Sequence, residues 1–291
     1  MAAKMSYHLY KIRLLYVRRK IKMIRETVKL IPGRDNVYLD YYGNDDRSEA
    51  VDAVLIMPGG GYSMVCSDRA GEPVALAYLT KGINAFVLHY SVAGGIKDPL
   101  DPLTDASLAM LHIRANADKY NIDTVRVFAV GLSAGGHLAG SLGALWNDAE
   151  LQARLPETGG GNRPTGVVLC YPVISAGEYA HMDSFRCLLG SQTPDAAALE
   201  RFSLEKHVGA HTPPAFIMHT YADALVPVEN ALLMAQAYAA AHVPFEMHIY
   251  PRGPHGIALA NKVTWRGNPD MVCPAAARWV SDSVEWMKTV G

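Results

Sequence analysis

The sequence has few cysteines, and their positions exclude two common roles for them. Only four occur in 291 residues, Cys66, Cys170, Cys187 and Cys273, without the close spacing typical of zinc or redox sites. Scattered thiols of this kind are typical of a reducing compartment, so the sequence predicts a cytoplasmic protein without a disulfide framework.

Long apolar runs are also lacking. No segment approaches the roughly 18 consecutive apolar residues that a membrane-spanning helix needs, and the first residues lack the uninterrupted apolar core of a secretory signal. We therefore expect no membrane span.

Charge is nearly balanced, at −1 overall, but it is unevenly distributed. Residues 1–22 carry seven basic residues and no acid, whereas residues 23–291 carry 20 basic and 28 acidic residues. The acidic main part has no basic stripe interleaved with aromatic residues, so we expect no nucleic-acid partner.

Residues 1–22 form a basic extension for which two interpretations stay open. Its apolar and basic residues lie on different helical faces, which is typical of an amphipathic helix on a membrane surface or an acidic partner. The sequence from Met23 to Glu26 also resembles a natural start, which favours an appended or upstream-translated segment. Residues 23–291 are then predicted to be one domain.

The hydrophobic pattern predicts an α/β fold. Half of the residues are hydrophobic, enough for one large core. Strand-like runs alternate with helical patterns after the third strand, which predicts a mostly parallel eight-stranded sheet with helices on both faces. The expected strands are 26–30, 37–42, 52–57, 84–90, 125–130, 166–171, 214–219 and 245–250, and the expected helices are 71–79, 103–120, 134–145, 227–241 and 274–288.

A Gly-x-Ser-x-Gly turn stands between a strand and a helix. Gly131-Leu132-Ser133-Ala134-Gly135 follows the apolar run from Val125 to Val130 and precedes a stretch of small residues. Glycines remove Cβ atoms that would collide in so sharp a turn, which leaves the serine Oγ exposed at the carboxyl end of the strand. Ser133 is therefore the candidate nucleophile.

Acyl transfer also needs fixed hydrogen-bond donors for an oxyanion. A glycine loop, Pro58-Gly59-Gly60-Gly61-Tyr62, follows an expected strand and precedes the Gly-x-Ser-x-Gly turn, or nucleophile elbow, in the sequence. The N–H groups of this loop can converge on one oxygen. The backbone N–H groups of Gly60, Gly61 and Ala134 are the predicted oxyanion hole.

A base and a carboxylate complete the expected chemistry. Asp223 follows the expected strand 214–219, and His255 lies in a turn-rich loop after the last expected strand. The chain order serine, aspartate, histidine is the one that a nucleophile elbow of this type requires. Ser133, Asp223 and His255 form the predicted triad.

We expect the other ten histidines to have structural roles and not to act as the base. His137 is expected in the first turns of the helix after the elbow, His181 in a loop or at the surface, and His219 at a strand end beside the triad. No histidine pair has zinc-ligand spacing supported by cysteines or acids, so we predict no metal and no cofactor.

In these motifs the chain resembles α/β-hydrolases of the microbial acetyl esterase and acetylxylan esterase group, related to the hormone-sensitive-lipase branch. Further matching segments extend the resemblance over residues 24–290: Tyr171 to Ser175, Asp183 to Phe185, Leu188 to Gly190, His219 to Asn230, and His255-Gly256. Pro58 occupies the position of the histidine in the His-Gly-Gly-Gly motif of lipase relatives, which favours the acetyl esterase group over long-chain lipases.

The resemblance implies a short-chain serine esterase acting on small-molecule or oligosaccharide esters. Tyr62, Tyr171 and Pro172 are candidates for its substrate pocket, and residues 176–209 form either a lid-like insertion or an ordinary surface helix pair. The alternatives are a feruloyl or general short-chain carboxylesterase, a prolyl-oligopeptidase-type peptidase, for which the chain has little room, and a non-catalytic binding protein, which usually lacks a triad residue. The sequence leaves open whether the chain forms a homo-oligomer.

Overall fold

The computed structural model describes residues 22–290, which are built around one eight-stranded sheet. The strands are β1 (Met23–Lys29), β2 (Tyr38–Asn44), β3 (Val51–Met57), β4 (Asn84–His89), β5 (Ile122–Leu132), β6 (Val167–Cys170), β7 (Ala215–Thr220) and β8 (Phe245–Tyr250). Their order is β1-β2-β4-β3-β5-β6-β7-β8, and β2 is antiparallel to both of its neighbours, whereas all other pairs are parallel. The predicted eight-stranded, mostly parallel α/β fold is confirmed.

Helices connect the strands. They are α1 (Ser67–Ala70), α2 (Glu72–Leu79), α3 (Asp101–Ala115), α4 (Ala117–Tyr120), α5 (Ala134–Ala144), α6 (Ala149–Gln152), α7 (Met182–Leu189), α8 (Ala196–Arg201), α9 (Glu229–Ala240) and α10 (Trp279–Met287). The expected helix 103–120 is interrupted at Asn116, and only the second part of the expected helix 274–288 is α-helical.

The sheet separates two hydrophobic cores. Successive side chains of a strand point to opposite faces, so Leu55 and Met57 of β3 belong to one core and Val54 and Ile56 to the other. Helices α3, α5 and α9 cover the first face, and α2 and α10 cover the second. This burial on both faces explains why the central strands are apolar along their whole length.

Residues 176–209 connect β6 to β7 and contain α7, α8 and the 3₁₀ turn Leu204–Lys206. The connection leaves the sheet at the carboxyl edge of its parallel strands, where the turn after β5 also lies.

Apart from Lys22, the basic extension lies outside the described residues. Within residues 22–290 no helix is both long and apolar enough to cross a membrane.

Candidate active site

Ser133 occupies a strained turn between β5 and α5. Its φ of 59° and ψ of −122° are unusual for a residue with a side chain. Three backbone hydrogen bonds maintain this conformation: the N–H of Ser133 donates to the carbonyl of Cys170, and its carbonyl accepts from the N–H groups of His137 and Val173. The turn is therefore fixed by its neighbours on β6 and α5.

The two elbow glycines are required by close backbone packing. A Cβ on Gly131 would collide with the carbonyl oxygen of Gly135, and a Cβ on Gly135 would collide with that of Met57 at the end of β3. Only glycine lets the turn approach β3 this closely.

Ser133, His255 and Asp223 lie in one hydrogen-bonded chain. The Oγ of Ser133 is 2.7 Å from Nε2 of His255, and Nδ1 of His255 is 2.7 Å from Oδ2 of Asp223. When the Nδ1–H group of His255 donates a hydrogen bond to the carboxylate, Nε2 carries no proton and can accept the one from Ser133. The structure thus brings together the three residues of the predicted triad in an order suited to nucleophilic catalysis.

Asp223 is held as a carboxylate. Its side chain is fully buried, and burial alone raises its pKa, but hydrogen bonds from His219 and His255 outweigh burial and lower the pKa below its ordinary value. Oδ1 also accepts the N–H groups of Leu225 and Val226, each at 3.0 Å. The carboxylate is consequently fixed in orientation and available to stabilise an imidazolium.

His219 is a supporting residue of this carboxylate, as its strand-end position indicated. Its Nε2 donates to the carbonyl of Val226 at 3.0 Å and lies 3.4 Å from Oδ2 of Asp223. The imidazole therefore helps to hold the Asp223 loop in place.

The glycine loop and the start of α5 present unused donors. Gly60 and Gly61 have φ values of 138° and 63°, which favour glycine, and a Cβ on Gly59 would lie 3.0 Å from the Cβ of Ser133. Within residues 22–290 the N–H groups of Gly60, Gly61 and Ala134 donate to no protein acceptor. Three free donors beside the serine suit the predicted oxyanion hole.

A cleft of about 380 Å³ opens above Ser133. Tyr171 lines it and packs edge-on against His255, with ring centroids 5.2 Å apart, so this predicted pocket residue also supports the imidazole. Tyr62 and Pro172 are buried and do not line the cleft. Their predicted pocket role is therefore corrected: Tyr62 points inward to His137, and Pro172 packs against Gly136.

Several cleft residues were not found from the sequence. His181, Asp183 and Cys187 reach it from the 176–209 connection, and Arg69 reaches it from α1. His181 lies in a loop directly before α7, as expected; its Nδ1 lies 2.8 Å from Ser184 Oγ, and burial lowers its pKa. The resemblance of the segment Asp183 to Phe185 was the only signal pointing here. No group of three or more potential metal ligands occurs in the described part of the chain.

The eight-stranded sheet and the solved neighbours show an α/β-hydrolase fold, and the chain is similar to an acetylxylan esterase and to an acetyl ester-xyloside hydrolase. The chain belongs to the BD-FAE family, whose model matches residues 39–238.

Two curated relatives match more than three quarters of the chain. The chain is 44% identical over 230 residues to endo-1,4-beta-xylanase B of Butyrivibrio fibrisolvens, covering 78% of this chain and 35% of the relative. It is 31% identical over 232 residues to an acetylxylan esterase of Xylanibacter ruminicola, covering 78% of this chain and 45% of the relative. The chain thus spans less than half the length of these curated relatives.

A solved structure matches over nearly its whole length. The acetyl ester-xyloside bifunctional hydrolase of Caldicellulosiruptor lactoaceticus is 35% identical, with a TM-score of 0.76, covering 91% of this chain and 96% of that one.

Proposed function

We propose that the chain is a serine esterase that hydrolyses acetyl and other short-chain esters of carbohydrate alcohols, xylan-derived alcohols foremost. The observation that carries the proposal is the set of hydrogen bonds that joins Ser133 to His255 and His255 to Asp223. Ser133 and His255 line the cleft, where a substrate can reach them. The names of the acetylxylan esterase and acetyl ester-xyloside hydrolase relatives support the substrate class.

The first half-reaction forms an acyl-enzyme. As Oγ of Ser133 bonds to the ester carbonyl carbon, its proton moves to Nε2 of His255. The carbonyl oxygen becomes an oxyanion that the N–H groups of Gly60, Gly61 and Ala134 stabilise, each strong donor contributing about 3–4 kcal/mol. The carbon–oxygen bond to the alcohol then breaks, and the alcohol leaves with the proton from His255.

The second half-reaction restores the serine. A water molecule attacks the acyl carbon while His255 Nε2 takes one of its protons, and the same three N–H groups stabilise the second oxyanion. Collapse of this intermediate returns the proton to Ser133 and releases the carboxylic acid. The low pKa of Asp223 keeps it ionised, so it stabilises the imidazolium in both halves.

The domain division and location are proposals as well. We infer that residues 23–291 form the catalytic domain, with 176–209 as an insertion whose residues line the cleft. The four free cysteines support a cytoplasmic location.

The test is a substrate panel run on the wild type and on Ser133→Ala. Acetylated xylo-oligosaccharides, p-nitrophenyl acetate and feruloyl esters would distinguish the proposed activity from a feruloyl or general carboxylesterase. We expect Ser133→Ala to lower kcat by at least about a thousandfold without unfolding the protein.

The control is Ser141→Ala, which removes a buried hydroxyl outside the cleft from α5, the helix that follows Ser133. Equal losses in both variants, or turnover by Ser133→Ala near the wild-type rate, would contradict the role of Ser133.

A further inference from the structure

Arg69 carries a guanidinium that faces the cleft without a protein partner. It lines the same cleft as Ser133 and His255. A Cβ built on Gly256 would lie 3.4 Å from both Nη1 and Nη2 of Arg69, so the charged group lies against the residue that follows His255. Its Nε is enclosed and donates no hydrogen bond.

The other half-buried arginines within residues 22–290 form ion pairs or hydrogen bonds. Arg126 contacts Asp52 at 2.6 Å, Arg34 contacts Asp105 at 3.3 Å, and Arg114 donates to backbone carbonyls. In the part of the chain that the structure describes, Arg69 has neither a carboxylate within 4.0 Å nor an acceptor for its N–H groups. This arginine therefore differs from those that only stabilise the fold.

The carboxylate that lines the cleft, Asp183, and the one behind His255, Asp223, are already engaged. Asp223 is committed to His255 and to two backbone N–H groups, and Asp183 forms an ion pair with Arg186 at 2.9 Å. Neither lies within ion-pair distance of Arg69. The missing partner of Arg69 is consequently expected to come from outside the chain.

The chemistry of the guanidinium defines that partner. Its five N–H donors form a planar fork that matches both oxygens of a carboxylate, and it remains charged at any working pH. The enclosed Nε–H without an acceptor costs free energy, so a ligand that accepts its hydrogen bond gains affinity.

We propose that Arg69 is a specificity-determining residue that binds a carboxylate carried by the ester substrate. The carboxylate belongs either to the alcohol, as in a uronic acid, or to the acyl group, as in a dicarboxylic acid monoester. The proposal rests on the esterase function proposed for Ser133 and adds the charge of the preferred substrate.

The experiment compares two matched substrate pairs. For the alcohol, mono-O-acetylated methyl glucuronoside is compared with mono-O-acetylated methyl xyloside, which lacks only the ring carboxylate. For the acyl group, p-nitrophenyl hemisuccinate is compared with p-nitrophenyl butyrate. The readout is the ratio of kcat/KM for the charged ester to kcat/KM for the neutral one, at low and high salt.

Arg69→Met removes the charge at similar length, and Arg278→Met is the control because Arg278 is exposed outside the cleft. We expect the wild type to favour the charged ester in one of the two pairs, and Arg69→Met to lower that ratio at least tenfold. Arg278→Met should leave the ratio unchanged, and high salt should lower it in the wild type.

A ratio that Arg69→Met leaves unchanged in both pairs would overturn the proposal, even if overall activity falls, because a purely structural role affects both esters of a pair alike. If Arg69→Met does not fold, Arg69→Lys tests the same point: it keeps the charge but loses the fork, and the ratio should fall at least threefold. Failure of the esterase function is distinct, since it would abolish Ser133-dependent hydrolysis of the neutral esters as well.

Discussion

Tyr62 and His137 form a buried hydrogen bond that joins the glycine loop to the helix behind the nucleophile. The tyrosine hydroxyl lies 2.8 Å from Nδ1 of His137, and Nε2 of His137 lies 2.8 Å from the carbonyl oxygen of Phe202. Nε2 therefore carries the proton and donates to the carbonyl, while Nδ1 accepts from Tyr62. The neutral imidazole therefore links three segments: the glycine loop after β3, helix α5, and Phe202 at the end of α8.

This linkage makes stability depend on pH. Burial lowers the pKa of His137 to about 4. In the unfolded chain the imidazole of His137 becomes protonated near pH 6.5. The stability that the neutral imidazole contributes is therefore fully present above about pH 6.5 and is lost as the pH falls toward 4. A pKa lowered from 6.5 to about 4 corresponds to a loss of about 3 kcal/mol of stability. Between pH 7 and pH 4 the unfolding free energy of His137→Gln should fall by about 2–3 kcal/mol less than that of the wild type, as measured by urea titration.

The control for that measurement is Tyr62→Phe. It removes the hydrogen bond to Nδ1 but leaves the imidazole buried, so it should cost about 1 kcal/mol at all pH values and keep the wild-type acid sensitivity. If His137→Gln lost as much stability at acid pH as the wild type does, the acid sensitivity could not be assigned to His137.

The elbow glycines should be among the positions most sensitive to substitution. Gly135→Ala places a Cβ against the carbonyl oxygen of Met57, so β3 and α5 must separate. We expect a loss of at least about 3 kcal/mol in unfolding free energy, or no soluble protein.

The matched control is Gly82→Ala. Its φ of 81° also favours glycine, but a Cβ there would meet no atom within 4 Å, so the cost should be about 1 kcal/mol. Similar losses for the two variants, measured by denaturant titration, would show that backbone conformation rather than the collision controls Gly135.

The strands and the order of the candidate site residues could be predicted because both depend on local pattern. The strands were recognisable because their apolar runs are buried on both faces, and the order of Ser133, Asp223 and His255 follows from the strand that each residue succeeds. The structure brings these three together, but their catalytic roles remain predictions until activity is measured.

The substrate pocket was harder to predict because packing at long range decides it. Whether Tyr62 points into the cleft or into the core depends on its φ of 57° and on the buried acceptor at His137. Arg69 and His181 lie far apart in the sequence and meet in the cleft only through the folded loops. No local spacing carries that information.

Asp223→Asn tests the role of the carboxylate. Oδ1 of Asp223 accepts two backbone N–H groups, so the amide oxygen should occupy that position and the amide NH₂ should face Nδ1 of His255. This arrangement favours the tautomer with the proton on Nε2, which cannot accept the proton of Ser133. We expect kcat to fall by about a thousandfold or more.

The control is Glu229→Gln, which neutralises a carboxylate at the start of α9 that does not line the cleft. Its kcat should stay within about twofold of the wild type. Comparable kcat values for Asp223→Asn and Glu229→Gln in steady-state assays would rule out Asp223 as the partner of His255.

Acyl-chain preference follows from the size of the cleft. The volume of about 380 Å³ must hold both the acyl and the alcohol parts of the ester. The 176–209 connection bounds it at His181, just before α7, and at Cys187 in α7. An open apolar channel would gain up to about 1 kcal/mol for each methylene buried, so activity would rise with chain length. Because this cleft offers little such room, we expect kcat/KM for p-nitrophenyl acetate to exceed that for the octanoate by at least about tenfold, or about 1.4 kcal/mol.

Initial rates below the aggregation limit of the octanoate, with Ser133→Ala as the background, provide the measurement. An octanoate rate equal to or above the acetate rate would refute the acetyl preference and favour a lipase-like enzyme, while leaving the proposed chemistry of Ser133 unaffected.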